Sequence, residues 1–164
     1  MIGCFVMPVR SQIMVFDDHP ILREGVVNIL KSQQDFEIIG EGSSYSDAVE
    51  LSGNHNPDIV LLDVSMPGGG IEAARDIHAA LPAVKIIMLT ASECDKDVMT
   101  ALQVGASAYI LKGIGGVELI SIIRKVSRGE TYITPSLASA ILGQPDSNKP
   151  SWLEKLNPRE SQVL

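Results

Sequence analysis

Short apolar β segments alternating with amphipathic helical ones predict a three-layer α/β fold, with helices on both faces of a doubly wound, parallel five-stranded sheet. Three observations carry the prediction. Residues 59–62, Ile-Val-Leu-Leu, form an apolar run without interruption, as a strand buried on both faces requires. No pair of strands is joined by an antiparallel hairpin signal. Four strands finish on polar side chains at the same end, at Asp17-Asp18, Asp63, Thr90 and Lys112. Ligand crevices of open α/β sheets lie at that end.

The elements follow in order. Residues 1–11 read as a loose N-terminal extension, because the apolar stretch from Met1 to Pro8 lacks a cationic start and is too short for a signal sequence or a membrane span. Residues 12–16 form the first strand, Asp17-Asp18 follows it, and His19-Pro20 opens a helix whose apolar positions Ile21, Leu22, Val26, Ile29 and Leu30 run to about Gln33. A short second strand covers 36–39. Ser46 is expected to cap a second helix through Leu51, and residues 54–57 turn the chain into the third strand, which stops at Asp63. Pro67 and three glycines lead into a third helix over 71–81, ended by Pro82. The fourth strand, 85–89, finishes at Thr90, and the fourth helix spans 92–104. Residues 108–111 form the fifth strand, before Lys112, and 117–128 the fifth helix, whose stripe of Ile120, Ile123 and Val126 reads as core.

Asp63 alone would be unremarkable, since Asp commonly ends strands and starts turns. Its company changes that. Adjacent carboxylates such as Asp17-Asp18 repel unless a cation is present or one of them is protonated, and hard oxygen ligands beside a phosphate are what Mg²⁺ selects. A plain helix cap is the competing account of that pair. The triple glycine matches neither a P-loop nor a dinucleotide turn.

Composition narrows the function classes. Twenty acidic against 13 basic residues give the 164-residue chain a net charge of −7, with no electrostatic attraction for nucleic acid or an anionic membrane. Two cysteines, Cys4 and Cys94, exclude a disulfide framework and point to a reducing, cytoplasmic setting. No run of the chain is long and apolar enough to read as a membrane span.

Asp17, Asp18, Asp63, Thr90 and Lys112, in this order and spacing, together with Asp63-Val-Ser-Met-Pro67 and the segment from Gly105 to Lys112, resemble the response-regulator receiver domain over residues 12–130. The resemblance implies a flavodoxin-like sheet of strand order 2-1-3-4-5. It also implies a reaction. Asp63 would take a phosphoryl group from a phosphohistidine of a sensor histidine kinase or phosphotransfer protein. Mg²⁺ would be held by Asp18 and Asp63 directly, by Asp17 through water, and by the backbone carbonyl of Ser65. Lys112 would pair with a phosphoryl oxygen, and Thr90 and Tyr109 would form the switch. Such a protein is a phosphoacceptor and not a turnover enzyme. Receivers usually carry one more residue in the loop after Pro67, so partner fit there should differ. Residues 131–151 resemble the linker helix and tether of LuxR/NarL-type regulators, and 152–164 resemble the start of a LuxR-type helix-turn-helix domain. The expectation is a truncated transcriptional regulator that meets DNA only through the missing domain, with a homodimer allowed for. A dehalogenase-like phosphatase would want an Asp where Ser65 stands, and a flavodoxin would not place Asp17-Asp18 beside a flavin phosphate. A stand-alone or degenerate receiver acting as a docking module is the remaining alternative.

Overall fold

The computed structural model describes residues 10–91 and 95–133, without the side chains of 95–98. The N-terminal extension up to residue 9, Cys94, the linker helix, the tether and the helix-turn-helix start lie outside the described residues.

Among the described residues six β and five α elements alternate: β1 Ser11–Phe16, α1 Pro20–Lys31, β2 Phe36–Gly42, α2 Tyr45–His55, β3 Ile59–Asp63, α3 Gly70–Ala80, β4 Lys85–Thr90, α4 Asp95–Gln103, β5 Ala108–Leu111, α5 Gly116–Ser127 and β6 Tyr132–Ile133. All strand pairs are parallel, in the order β2-β1-β3-β4-β5-β6. The predicted five-stranded order is present, and the two-residue β6 extends it by pairing Ala108 with Tyr132 and Tyr109 with Ile133.

Strand side chains alternate between two cores, as the period of two requires. Met14, Phe16, Val60, Leu62, Ile86 and Met88 join the inner faces of α2, α3 and α4. Ile13, Val15, Ile59, Leu61, Ile87 and Leu89 meet Val27 and Leu30 of α1 and Leu119, Ile122, Ile123 and Val126 of α5. Every residue of β3 is buried. At about 25 cal/mol per Å² of apolar surface, such double-sided burial is what fixes this strand at the centre.

Element ends differ from the sequence reading where local hydrogen bonds outweigh hydrophobic pattern. The cap of α2 is Ser44 and not Ser46: the Ser44 hydroxyl accepts from the Asp47 backbone N–H at 3.2 Å. That helix runs on to His55, beyond Leu51, and stops where Asn56 takes a left-handed backbone with φ of 46°. The second strand continues past Ile39 because its pairing with β1 extends to Phe16 opposite Gly42, across a register shift between Ile13 and Met14. The first helix ends at Lys31, short of Gln33.

Candidate functional site

The register sets the chemistry-bearing residues side by side. Phe16 lies opposite Leu62, Asp63 opposite Leu89, and Thr90 opposite Leu111. Asp17, Asp63, Thr90 and Lys112 therefore leave neighbouring strands at one edge. Backbone bonds continue the ladder beyond the strands, from Asp17 N–H to Gly42 at 3.0 Å, Val64 N–H to Leu89 at 2.9 Å and Lys112 N–H to Thr90 at 2.8 Å.

Their side chains converge. Lys112 Nζ lies 3.0 Å from Asp17 Oδ2 and 3.1 Å from Asp63 Oδ1, the two carboxylates being 1% exposed and the lysine 11%. Asp18 is more open, at 32%. Ser65 donates to Asp63 Oδ1 twice, from its backbone N–H at 3.2 Å and its hydroxyl at 3.3 Å. Thr90, 4% exposed, ends β4 beside them, and Tyr109 is fully buried on β5. The sequence-predicted carboxylates, lysine and Ser65 thus form one cluster, while Thr90 ends the neighbouring strand β4 and Tyr109 lies in the core on β5.

Electrostatics separates the two facing acids. Burial alone would raise the Asp63 carboxyl, but the Ser65 backbone N–H and then the Lys112 ammonium outweigh it and hold it below the ordinary value. Asp18 moves the other way. Its own desolvation, then its interaction with Asp63, push it up against the opposing pull of His19. A carboxylate kept ionised next to one that protonates more readily is how a crowded acid cluster lowers its self-repulsion.

Two contacts went unread in the sequence. His19 Nδ1 lies 2.8 Å from Asp17 Oδ1 and 3.1 Å from Asp18 Oδ1. Arg23 donates to the Asp17 backbone carbonyl at 2.7 Å. The His-Pro pair directly after two acids was the available signal for the first. The second needed the turn of α1 that carries Arg23 back over the end of β1.

Asp17, Asp18, His19 and Asp63 each offer a ligand atom, all within 4.8 Å of one another. Asp17 Oδ2 and Asp18 Oδ1 are closed off from solvent without an aligned hydrogen bond, Asp17 Oδ2 lying 3.0 Å from Lys112 Nζ and Asp18 Oδ1 3.1 Å from His19 Nδ1. Buried carboxylate oxygens in that condition are costly, and a hard divalent cation fits them. Among the described residues, no helix is long and apolar enough to cross a membrane.

Comparison with known proteins agrees with this geometry. Residues 13–124 match the response regulator receiver domain family. The chain is 37% identical over 134 residues to the transcriptional regulatory protein DegU of Brevibacillus brevis, covering 81% of this chain and 57% of that protein. It is 33% identical over 156 residues to the response regulator GacA of Pseudomonas aeruginosa, covering 93% of this chain and 72% of the relative. The chain thus spans little more than half to about three quarters of these relatives. The solved structure of a LuxR-family two-component response regulator from Aurantimonas sp. SI85-9A1 superposes with a TM-score of 0.76 at 32% identity, over 81% of this chain and 96% of that one. Fold, register and matched segment lead to one assignment: the chain belongs to the response regulator receiver domain family, among relatives of the LuxR/NarL type.

Proposed function

We propose that Asp63 is the phosphoacceptor. An oxygen of its carboxylate attacks the phosphorus of a partner's phosphohistidine, an acyl phosphate forms as the P–N bond breaks, and the imidazole leaves with the electron pair and takes up a proton. The observation that carries this reading is a buried, ionised carboxylate facing an ammonium at 3.1 Å, with two further acids at the same sheet edge. Such catalysis is positioning and charge neutralisation more than covalent assistance. Asp63 is held in place by the two Ser65 donors, and Lys112 pairs with a phosphoryl oxygen as a point charge.

Asp17, Asp18, Asp63 and the Ser65 carbonyl would hold Mg²⁺, which when bound neutralises the crowded carboxylates and orients phosphoryl oxygens. The Thr90 hydroxyl gains a charge-assisted bond only once the phosphoryl group is present, the differential contact a two-state switch needs. Tyr109 is already inside the fold, so phosphorylation would hold that ring position instead of creating it.

The partner is a sensor histidine kinase or phosphotransfer protein in the cytoplasm. Its docking face is the groove between α1 and α5, lined by Ile21, Leu22, Val26, Ile29, Ile114 and Leu119, because Lys112 of the acceptor cluster lines the same groove. A protein bringing its histidine to Asp63 must cover that rim. Ile21 is 88% exposed, leaving apolar surface for it. A DNA-binding domain of the LuxR type joined to the receiver would carry the signal to DNA.

Phosphotransfer from a radiolabelled histidine kinase tests the reading. The wild-type chain should take up label in a Mg²⁺-dependent way and Asp63→Asn should take up none. Full labelling of the variant would reject Asp63 as acceptor.

A further inference from the structure

Resting on the reading of Asp63 as phosphoacceptor, we infer that Tyr45 is a positioning residue for the reaction. It clamps the acceptor loop, residues 64–69, to α2 and α3, so that Ser65 keeps its hold on Asp63 and its carbonyl turned to the cation site. Tyr45 is the first residue of α2, behind the Ser44 cap. Its backbone N–H has no partner inside the helix, as at any helix start, and donates to the Pro67 carbonyl at 2.9 Å. Pro67 follows Ser65 by two residues. The next residue, Gly68, lies against the tyrosine itself. A Cβ there would collide with Tyr45 Cβ and come within 3.3 Å of its Cγ. The phenol hydroxyl then donates to Asp76 Oδ2 on α3. One side chain therefore touches both the end of the loop and the helix that follows it.

The two halves of the loop are held differently. Its first half is anchored in the sheet and core, where the Val64 N–H donates to Leu89 and Met66 is buried. In its second half, Gly69 N–H donates to Met66 at 2.9 Å and Gly70 N–H to Val64 at 3.1 Å, bonds that close the loop on itself. Gly69, the N-cap of α3, brings no side-chain cap. Tyr45 supplies the tie to a neighbouring element there. The helix start that carries it is itself pinned, because Asp47 Oδ2 accepts from the Ser43 N–H at 3.0 Å while the Asp47 N–H donates to the Ser44 hydroxyl at 3.2 Å. The hydrogen bond to Asp76 raises the phenol's pKa, which keeps the hydroxyl a donor. The plainer account is that Tyr45 only packs α2 against α3, adding stability without touching the reaction.

Tyr45→Phe, Asp76→Ala and Asp76→Asn in the 164-residue chain decide between them, with labelling by acetyl phosphate, calorimetric Mg²⁺ titration and thermal melting measured on each. Tyr45→Phe keeps the ring over Gly68 and loses only the bond to a half-exposed partner, so the variant should fold. Its maximal labelling rate should fall about two- to tenfold, the worth of one net hydrogen bond, and Mg²⁺ should bind more weakly by a similar factor. Asp76→Ala should do the same, and the double variant should be no worse than either single one, because both remove one interaction. Asp76→Asn, which keeps an oxygen acceptor, should recover most of the loss. Unchanged labelling and Mg²⁺ affinity in Tyr45→Phe and Asp76→Ala, even with a lowered melting temperature, would overturn the proposal and leave Tyr45 a packing residue. So would losses that add in the double variant. Absence of Mg²⁺-dependent labelling in the wild type would instead reject the underlying reading of Asp63.

Discussion

Lys112 is the residue on which the electrostatics of the site turns. It faces two carboxylates at about 3 Å from a position that is nearly closed to solvent. A charge-assisted contact of this kind contributes about 1.5–3 kcal/mol, which is roughly 10–100-fold in rate if it is made to the transferring phosphoryl group. Lys112→Ala should therefore slow labelling by acetyl phosphate by that factor while leaving the fold intact, as timed phosphorylation assays and circular dichroism would report. An unchanged rate would remove Lys112 from the reaction. This residue, like Asp17, Asp18 and Asp63, was legible because it directly follows an apolar run. His19 and Arg23 were not, because their partners depend on how the first turn of α1 folds back over β1, which no spacing in the sequence encodes.

Among the elements, the β3–α3 connection is the most constrained. A Cβ on Gly70 would sit 1.9 Å from the Asp63 backbone oxygen, and Gly68 and Gly69 hold φ of 86° and 93°. Backbone cannot retreat as a flexible side chain can, so Gly70→Ala should cost on the order of 2 kcal/mol or more and displace the acceptor loop. Chemical denaturation would measure it; wild-type stability in that variant would mean that the helix can shift freely. A second tie binds the α1–β2 turn to α5, where Arg124 donates to both Asp35 oxygens, at 2.9 Å and 3.1 Å. The Arg124 hydrogen bonds, opposed by burial, hold the Asp35 carboxyl below the ordinary carboxylate value. A depressed folded-state value stabilises the protein above the ordinary carboxylate value and loses that contribution as pH falls through the folded one. Both partners are nearly half exposed, which keeps the effect small. Asp35→Asn should be slightly less stable at neutral pH, with the difference in melting temperature closing below about pH 4. A gap that persists in acid would trace the tie to packing instead. Element existence was readable from periodicity, while ends such as Ser44 and Asn56 were decided by single hydrogen bonds and one left-handed residue that hydropathy does not register.

For the described residues as a whole, two apolar layers pack on a single sheet, and the candidate site lies at its rim. If the α1–α5 groove receives the kinase, Ile21→Glu should sharply slow transfer from the kinase and leave labelling by acetyl phosphate unchanged, since the small donor needs no docking face. Slowing of both would place the defect in the site itself. Beryllofluoride should draw the Thr90 hydroxyl toward Asp63 and lock Tyr109 in its buried position, which resonance line widths of the tyrosine ring can follow. A ring insensitive to the mimic would remove Tyr109 from the switch. The α/β order was predictable because each strand is a separate apolar run; the closing pair Tyr132–Ile133 is too short for any periodicity and appears only as a partner of β5. The most direct test of the whole account is to find the phosphoryl group. After reaction of the chain with acetyl phosphate and Mg²⁺, borohydride trapping and tandem mass spectrometry should place a single modification on Asp63. A modification on another residue, or none under conditions where Mg²⁺ binds, would contradict it.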